Sequence, residues 1–476
     1  MRCRRCVEPV STRTRAISIS PLLSLGLGSG TMLQALNSSM IAIAMVGISR
    51  EFAGEAGLSW IIPALYIATA GAGPTAGKLA EIYGPRRVFL SGLLIVLAGS
   101  LIGGLATGST MIVVARVLQG IGTASQLPTA MMIVRGVAAR RNVGFRPAVT
   151  ILTICAQSMV ALGPSIGGFL VSAFDWRSIF WVNVPLVVIT AVWVMAVAPK
   201  DERADETDRG PAALDVPGVA VFVLFIGCLT YFLLSVPSDP AWPLLPVSLV
   251  FLVLFVVREL RCGNPFIDVR LLARNAPLCW TLFRTLATYT AFYGIFFGLP
   301  RWLQSVHGYS SGSAGLIMLP IAGIGIVSTM FVSRFYTRLG PRRTVVLGAI
   351  TLIVNGVVLL FLETPATPMA LGLIVSAILG IPSGFNNIGN QHILNDVTTD
   401  RETGVAIGIY RTIQYLGANL AAILLTLLAA PNAHGAVSIR SLAVAIAIIG
   451  AALLVITPLA FSRTRAGVRT ASTSGQ

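Results

Sequence analysis

The sequence predicts an all-α integral membrane protein of 14 transmembrane helices: two six-helix bundles in a pseudo-twofold repeat, plus two extra central helices. Three observations carry that expectation: a shortage of charge, apolar runs long enough to cross a bilayer, and a motif that recurs half a chain later. Of the 476 residues, 55% are hydrophobic and 11% charged. A soluble domain carries roughly 25% charged residues, so this chain has too few charges to coat a water-facing surface of its size.

An apolar stretch of about 20 residues spans the hydrocarbon core. Such stretches lie at 21–46, 58–78, 87–107, 109–133, 148–173 and 178–198. Two follow at 214–235 and 242–260, and six more at 277–300, 313–335, 343–362, 368–392, 404–429 and 438–460. Alternate loops differ sharply in basic residues: of 34 Lys and Arg, 27 fall on one side with both tails. Only Arg50, Arg177, Arg301 and Arg440 fall on the other, and Arg116, Arg284 and Arg411 lie within spans. Cytoplasmic loops hold the excess of Lys and Arg, so both termini are expected in the cytoplasm and the protein in the inner (plasma) membrane.

The net charge of +16 does not indicate a nucleic-acid partner, because the cations form short patches between apolar runs and not one basic face. The first apolar segment is too long for a cleaved export signal and has no clear A-x-A-like site, so it reads as an uncleaved span. The six cysteines (3, 6, 155, 228, 262 and 279) face the cytosol or lie within spans, where disulfides are not expected. Cys3 and Cys6 form a C-x-x-C without a second pair nearby, which reads as an inert tail. Neither metal nor cofactor is expected.

Gly84-Pro85-Arg86-Arg87 recurs as Gly340-Pro341-Arg342-Arg343, 256 residues later and at the corresponding helix junction of the other six spans. Parallel repeats about an axis along the membrane normal are a transporter design. The chain therefore divides into a basic tail (1–20), a first bundle (21–199), a linker with two additional helices (200–262), a second bundle (263–462) and a tail (463–476). The start of the third segment, Pro199 to Pro211, is polar, of mixed charge and bounded by prolines, and reads as a solvated connector.

Ionisable groups inside a membrane are costly and mark functional candidates. Arg116, Gln119, Thr123 and Gln126 share one helix face. That stripe is either an interhelical hydrogen-bond network or a cavity-facing site for substrate or coupling. Gln34 and Asn37 lie near mid-span in the first helix, and Thr150, Thr153 and Gln157 share a face of the fifth. The second half supplies Thr281, Arg284 and Thr288, then Ser383, Asn386, Asn387 and Asn390, then Arg411, Gln414 and Tyr415. Arg284 and Arg411 either face a cavity or snorkel to the inner surface. The ninth span also carries Phe283, Tyr289, Phe292, Tyr293, Phe296 and Phe297, rings that either pack or stack on a flat ligand. In the fifth span Gly163 and Gly167 allow a close helix approach, and Pro164 removes a backbone hydrogen bond. With Gly168 they suggest a bend or contact that seals one end of a pathway. His307, His392 and His434 stand apart from any nucleophile or metal-ligand set, so an enzyme is not expected.

Together these motifs resemble the major facilitator superfamily, specifically its fourteen-span drug:proton antiporter branch. Gly77 to Arg87 is similar to the family's loop motif, Arg116 to Gly122 to its fourth-span motif, and Gly163 to Gly168 to its fifth-span antiporter motif. Trp176 to Pro185 also fits the branch. The resemblance implies two bundles rocking about a central cavity. It casts Gly77, Glu81, Gly84, Arg86 and Arg87, with Gly340, Arg342 and Arg343, as an inter-bundle latch, and ties Arg116 to proton coupling. The expected partners are a small-molecule substrate, protons and membrane lipids, and the expected state is monomeric. The chain departs from the pattern at Glu81, where the loop motif usually has Asp, at Ile82 and Pro85, where it usually has a cation, and most seriously at Asn37, where the branch usually has an acid; none of the 18 acidic residues is mid-span. A buried carboxylate is the obvious proton carrier and counter-ion for a cationic drug. Its absence favours export of neutral or anionic drug-like compounds. Uptake of an organic anion and a transport-inactive scaffold are the alternatives.

Overall fold

The computed structural model describes residues 19–201, 215–237, 239–263, 265, 267–362, 368–398, 400–428 and 438–473. The Cys3/Cys6 tail, most of the linker and His434 lie outside the described residues. All regular structure among the described residues is helical, and a helix satisfies its backbone polar groups internally, as a lipid environment demands.

The first half comprises α1 (Pro21–Glu51), α2 (Ile61–Tyr83), α3 (Pro85–Gly104), α4 (Ser109–Ala124), α5 (Gln126–Arg141), α6 (Arg146–Ala173), α7 (Ser178–Trp181) and α8 (Asn183–Val197). Two central helices follow, α9 (Val216–Ser235) and α10 (Leu244–Arg261). The second half has α11 (Val269–Arg274), α12 (Ala276–Ser305), α13 (Ser311–Leu359), α14 (Met369–Asp396), α15 (Asp400–Leu427) and α16 (Ile439–Thr473). Proline in the first turn opens α1, α3, α6, α9 and α12, where its missing N–H costs nothing and its fixed φ suits a helix. Asp268 and Asn275 cap α11 and α12 by accepting from the backbone N–H of Leu271 (2.9 Å) and Leu278 (3.0 Å).

Helices cover every expected span, with differences in continuity. The fourth span is interrupted at Ser125 and then runs on to Arg141, beyond the expected end at 133. The sixth is interrupted at Val182. The tenth and eleventh form one helical run broken at Gly340, whose φ of 73° and ψ of 165° turn the chain at the second copy of the repeated motif. The short α11 was not expected. Among the described residues, nine helices are long and apolar enough by themselves to cross a membrane.

The halves pack reciprocally. In each, the first helix lies on the fifth (α1 on α6, α12 on α15). Between them, α2 meets α15 and α6 meets α13, the second helix of one half against the fifth of the other, both ways round. The central helices pack on each other, and α9 also rests on α2 and α15. Large apolar side chains point outward along the periphery, among them Leu94, Ile189, Val253, Met330 and Ile448, each at least 58% exposed. In water such a surface would aggregate, whereas acyl chains accept it. At the end opposite the Gly84–Arg87 turn, Ile41, Ile48, Trp176, Phe180, Phe297, Leu303 and Ile317 join one continuous core that closes the space between the halves.

Candidate functional site

Below that closed end, toward the Gly84–Arg87 end, a cavity of about 260 Å³ lies between the halves. Gln34 and Ser38 of α1 and Thr153 and Gln157 of α6 form one wall. Tyr289, Phe292, Tyr293 and Phe296 of α12, Asn386 and Asn387 of α14, and Arg411, Gln414 and Tyr415 of α15 form the other. Among the described residues that line the cavity, Arg411 is the one charged side chain and none is a carboxylate. Its Nη1 donates to Gln414 Oε1 (3.2 Å), and Gln414 Nε2 donates to the Tyr289 hydroxyl (2.8 Å). Across the gap Gln34 Nε2 donates to the Tyr415 hydroxyl (2.8 Å), a direct bond between the two halves. The rings form a continuous wall: Phe292 stacks on Phe296 with centroids 5.6 Å apart, and Tyr293 on Phe297 at 5.4 Å.

Several expected cavity residues lie elsewhere. Arg116 is 1% exposed and is clamped between helices. Its Nε donates to Ile61 O (3.2 Å), and its Nη1 donates to Asn37 O (3.0 Å) and Gln119 Oε1 (3.1 Å). Gln119 Nε2 continues the network to Ser100 Oγ (3.2 Å), and Thr123 Oγ1 donates to Gln119 O (2.7 Å). Gln126 Nε2 reaches Phe89 O at 3.2 Å. In this structure the stripe forms an interhelical network, in which carbonyls of α1 and α2 accept from Nη1 and Nε of the guanidinium. Asn37 is likewise buried, exchanging amide bonds with Asn183 of α8. Arg284 neither snorkels nor lines the cavity: it is 5% exposed, and its Nε donates to Asn390 Oδ1 at 3.2 Å. Of the candidates, the structure brings Gln34, Thr153, Gln157, Thr288, Ser383, Asn386, Asn387, Arg411, Gln414 and Tyr415 to the cavity wall.

The repeated motif behaves differently in its two copies. At the first, Asp201 accepts from the backbone N–H of Arg86 (3.0 Å) and Arg87 (2.9 Å), capping α3, while Arg86 Nη2 donates to Met195 O (2.6 Å). Gly84 sits at φ 94°, in the left-handed region that favours glycine. Glu81, Gly84 and Arg87 share a 280 Å³ pocket with Arg140 and Lys200. Among the described residues, these contacts stay within the first half and the chain just after it. Gly77 has open space above it, and at the second copy Arg342 and Arg343 are exposed.

The fifth-span glycines make the close contact anticipated for them. Gly163 and Gly167 face Ser39 and Met40 of α1, and Gly168 faces Ser311 of α13, where an added Cβ would stand 2.5 Å from the Ser311 carbonyl oxygen. Ser165 Oγ, next to Pro164, donates to Gly315 O (2.8 Å), and Gly312 N donates to Ser172 Oγ (2.8 Å). Gln304 adds a third tie, donating to Ile43 O (3.2 Å) and accepting from Ser311 Oγ (2.9 Å). Residues the sequence did not single out, Tyr66, Gln304 and Asn355 among them, carried no signal beyond being polar in an apolar run. Asn183 stood in a recognised motif without an assigned partner.

The pattern for the Major Facilitator Superfamily matches residues 27–422. The chain is 32% identical over 421 residues to the uncharacterized MFS-type transporter YwoD of Bacillus subtilis (strain 168), covering 88% of this chain and 91% of that one. It is 29% identical over 418 residues to the tetracenomycin C resistance and export protein of Streptomyces glaucescens, covering 84% and 74%. It is 30% identical over 351 residues to the multidrug resistance protein Stp of Mycobacterium tuberculosis (strain CDC 1551 / Oshkosh), covering 72% and 64%. Among solved structures it resembles the nucleoside transporter NupG (TM-score 0.64, 12% identity, covering 92% of this chain and 99% of that one). It also resembles a D-xylose-proton symporter (TM-score 0.64, 12% identity, covering 91% and 96%). The chain belongs to the Major Facilitator Superfamily. It is a multi-pass inner-membrane secondary transporter of small molecules.

Proposed function

We propose that this transporter exports drug-like or secondary-metabolite molecules by alternating access, powered by the proton gradient, and that its cargo is neutral or anionic. The arginine-rich end faces the cytoplasm in this reading, 14 helices cross the bilayer as bundles 21–199 and 263–462 with the central pair between them, and the cavity is open inward. The observation that carries the substrate charge is the cavity wall: among the described residues Arg411 is its one charged side chain and no carboxylate lines it. A lipophilic cation would find no counter-ion there and would meet Arg411, a pairing that is unfavourable in a low-dielectric site. The relatives named as export or resistance proteins support the direction of transport. Arg116, Gln119 and Thr123 lie outside the cavity, so their part is to hold α1, α2 and α4 in register while the bundles rock.

The test is flux in proteoliposomes with an imposed pH gradient, using size-matched anionic, neutral and cationic compounds. Anions and neutral compounds are expected to move against their gradient with proton counterflow. Export of ethidium at the same rate as the anions would overturn the proposal.

A further inference from the structure

The cavity combines two features that meet at one residue pair. Gln414 holds the Arg411 guanidinium through its Oε1 and the Tyr289 hydroxyl through its Nε2, so a cation and the near edge of the aromatic wall are tied to one amide. That bond uses one N–H of Arg411, from a planar fork with five donors. Among the described residues Arg411 has no carboxylate partner, and its side chain is exposed to the cavity. Beyond Tyr289 the wall continues through Phe292, with ring centroids 6.4 Å apart, and then through Phe296 at 5.6 Å. The opposite wall offers the amides of Gln34 and Gln157 and the hydroxyls of Ser38 and Thr153, with no charge.

We infer that the cavity binds planar aromatic monoanions, with the acid group held bidentately by Arg411 and the ring system laid along Tyr289, Phe292 and Phe296. This rests on the export reading for its direction, but not for its binding chemistry. A guanidinium matches a carboxylate through two parallel N–H···O bonds, a geometry that lysine cannot reproduce. The rings along the wall add edge-to-face contact at one position and offset stacking at the next. A ligand seated there competes for the space beside the Gln34–Tyr415 bond, which joins the halves across the cavity.

The experiment is equilibrium binding to the purified full chain in detergent, with naphthalene-2-carboxylate, naphthalene-2-carboxamide and cyclohexanecarboxylate as probes. The carboxylate is expected to bind wild type at least about tenfold more tightly than either the carboxamide or the non-aromatic acid. Arg411→Gln is expected to abolish the preference for carboxylate over carboxamide, and Arg411→Lys to recover only part of it. The comparison of probes on wild type needs no variant, so it stands even if a variant misfolds. Equal binding of the three probes, or no binding of naphthalene-2-carboxylate, overturns the inference. Selective binding together with no flux in proteoliposomes would instead refute the transport reading and leave this one standing.

Discussion

Asn37 and Asn183 exchange amide hydrogen bonds deep between α1 and α8: Asn183 Nδ2 donates to Asn37 Oδ1 at 2.8 Å, and Asn37 Nδ2 donates to Asn183 Oδ1 at 3.2 Å. Asn37 is 4% exposed and Asn183 fully buried. The backbone carbonyl of the same Asn37 accepts from Arg116 Nη1, so one residue joins three helices.

Removing one partner strands the other. Asn37→Leu leaves Asn183 Oδ1 buried without its donor, although Asn183 Nδ2 keeps its bond to Ile179 O, and the lost pairing costs about 1–3 kcal/mol. Thermal unfolding in detergent should show a clear drop in Tm, with naphthalene-2-carboxylate affinity unchanged because neither asparagine lines the cavity.

The contact of α6 with α13 depends on bare backbone. A Cβ at Gly168 would stand 2.5 Å from the Ser311 carbonyl oxygen, and one at Gly315 2.5 Å from that of Pro164. Both obstacles are backbone and cannot swing aside. Gly168→Val or Gly315→Val should therefore push the two helices apart at the closed end. Spin labels placed on the two helices near that end should report a longer, broader distance distribution than in the wild type, and transport should fall about tenfold or more. An unchanged distribution would show that the seal tolerates bulk.

Glu51, at the end of α1, accepts from Arg177 Nη2 (2.5 Å) and Trp176 Nε1 (2.6 Å), and the Arg177 bond above all holds its carboxyl below the ordinary range. A depressed folded-state pKa stabilises the protein fully above the unfolded value, and that contribution is lost as pH falls through the folded one. The pair is partly exposed, so it is worth about 0–1 kcal/mol. The Tm difference between wild type and Glu51→Gln should be constant above about pH 5 and shrink below about pH 4. A difference that instead grows with acid would show that the ion pair has no such role.

The broad architecture was legible because a bilayer imposes it: length and apolarity report crossing helices. The contact of Gly163 and Gly167 with α1 was legible for a similar reason, since glycines four apart let a neighbouring helix approach closely. Arg116 was legible as special but not in placement. A charged residue on a polar helical stripe satisfies the same pattern whether its acceptors are a ligand or the carbonyls of Ile61 and Asn37. Arg284 shows the same ambiguity, resolved only by Asn390, which lies 106 residues away. The pairing of Gln34 with Tyr415, across 381 residues, leaves no local trace at all.

A cavity wall with a guanidinium and no carboxylate also bears on energetics. Each elementary charge moved across the bilayer potential is worth about 2.3 kcal/mol per 100 mV. A cell interior is electrically negative, so a singly charged anion leaving it runs downhill in that field before any proton is counted. Without an acid to neutralise Arg411, the loaded carrier would move as a nearly charge-balanced body and the empty one with a positive charge. The voltage would then act on the return of the vacant protein, drawing its cation back toward the cytoplasm.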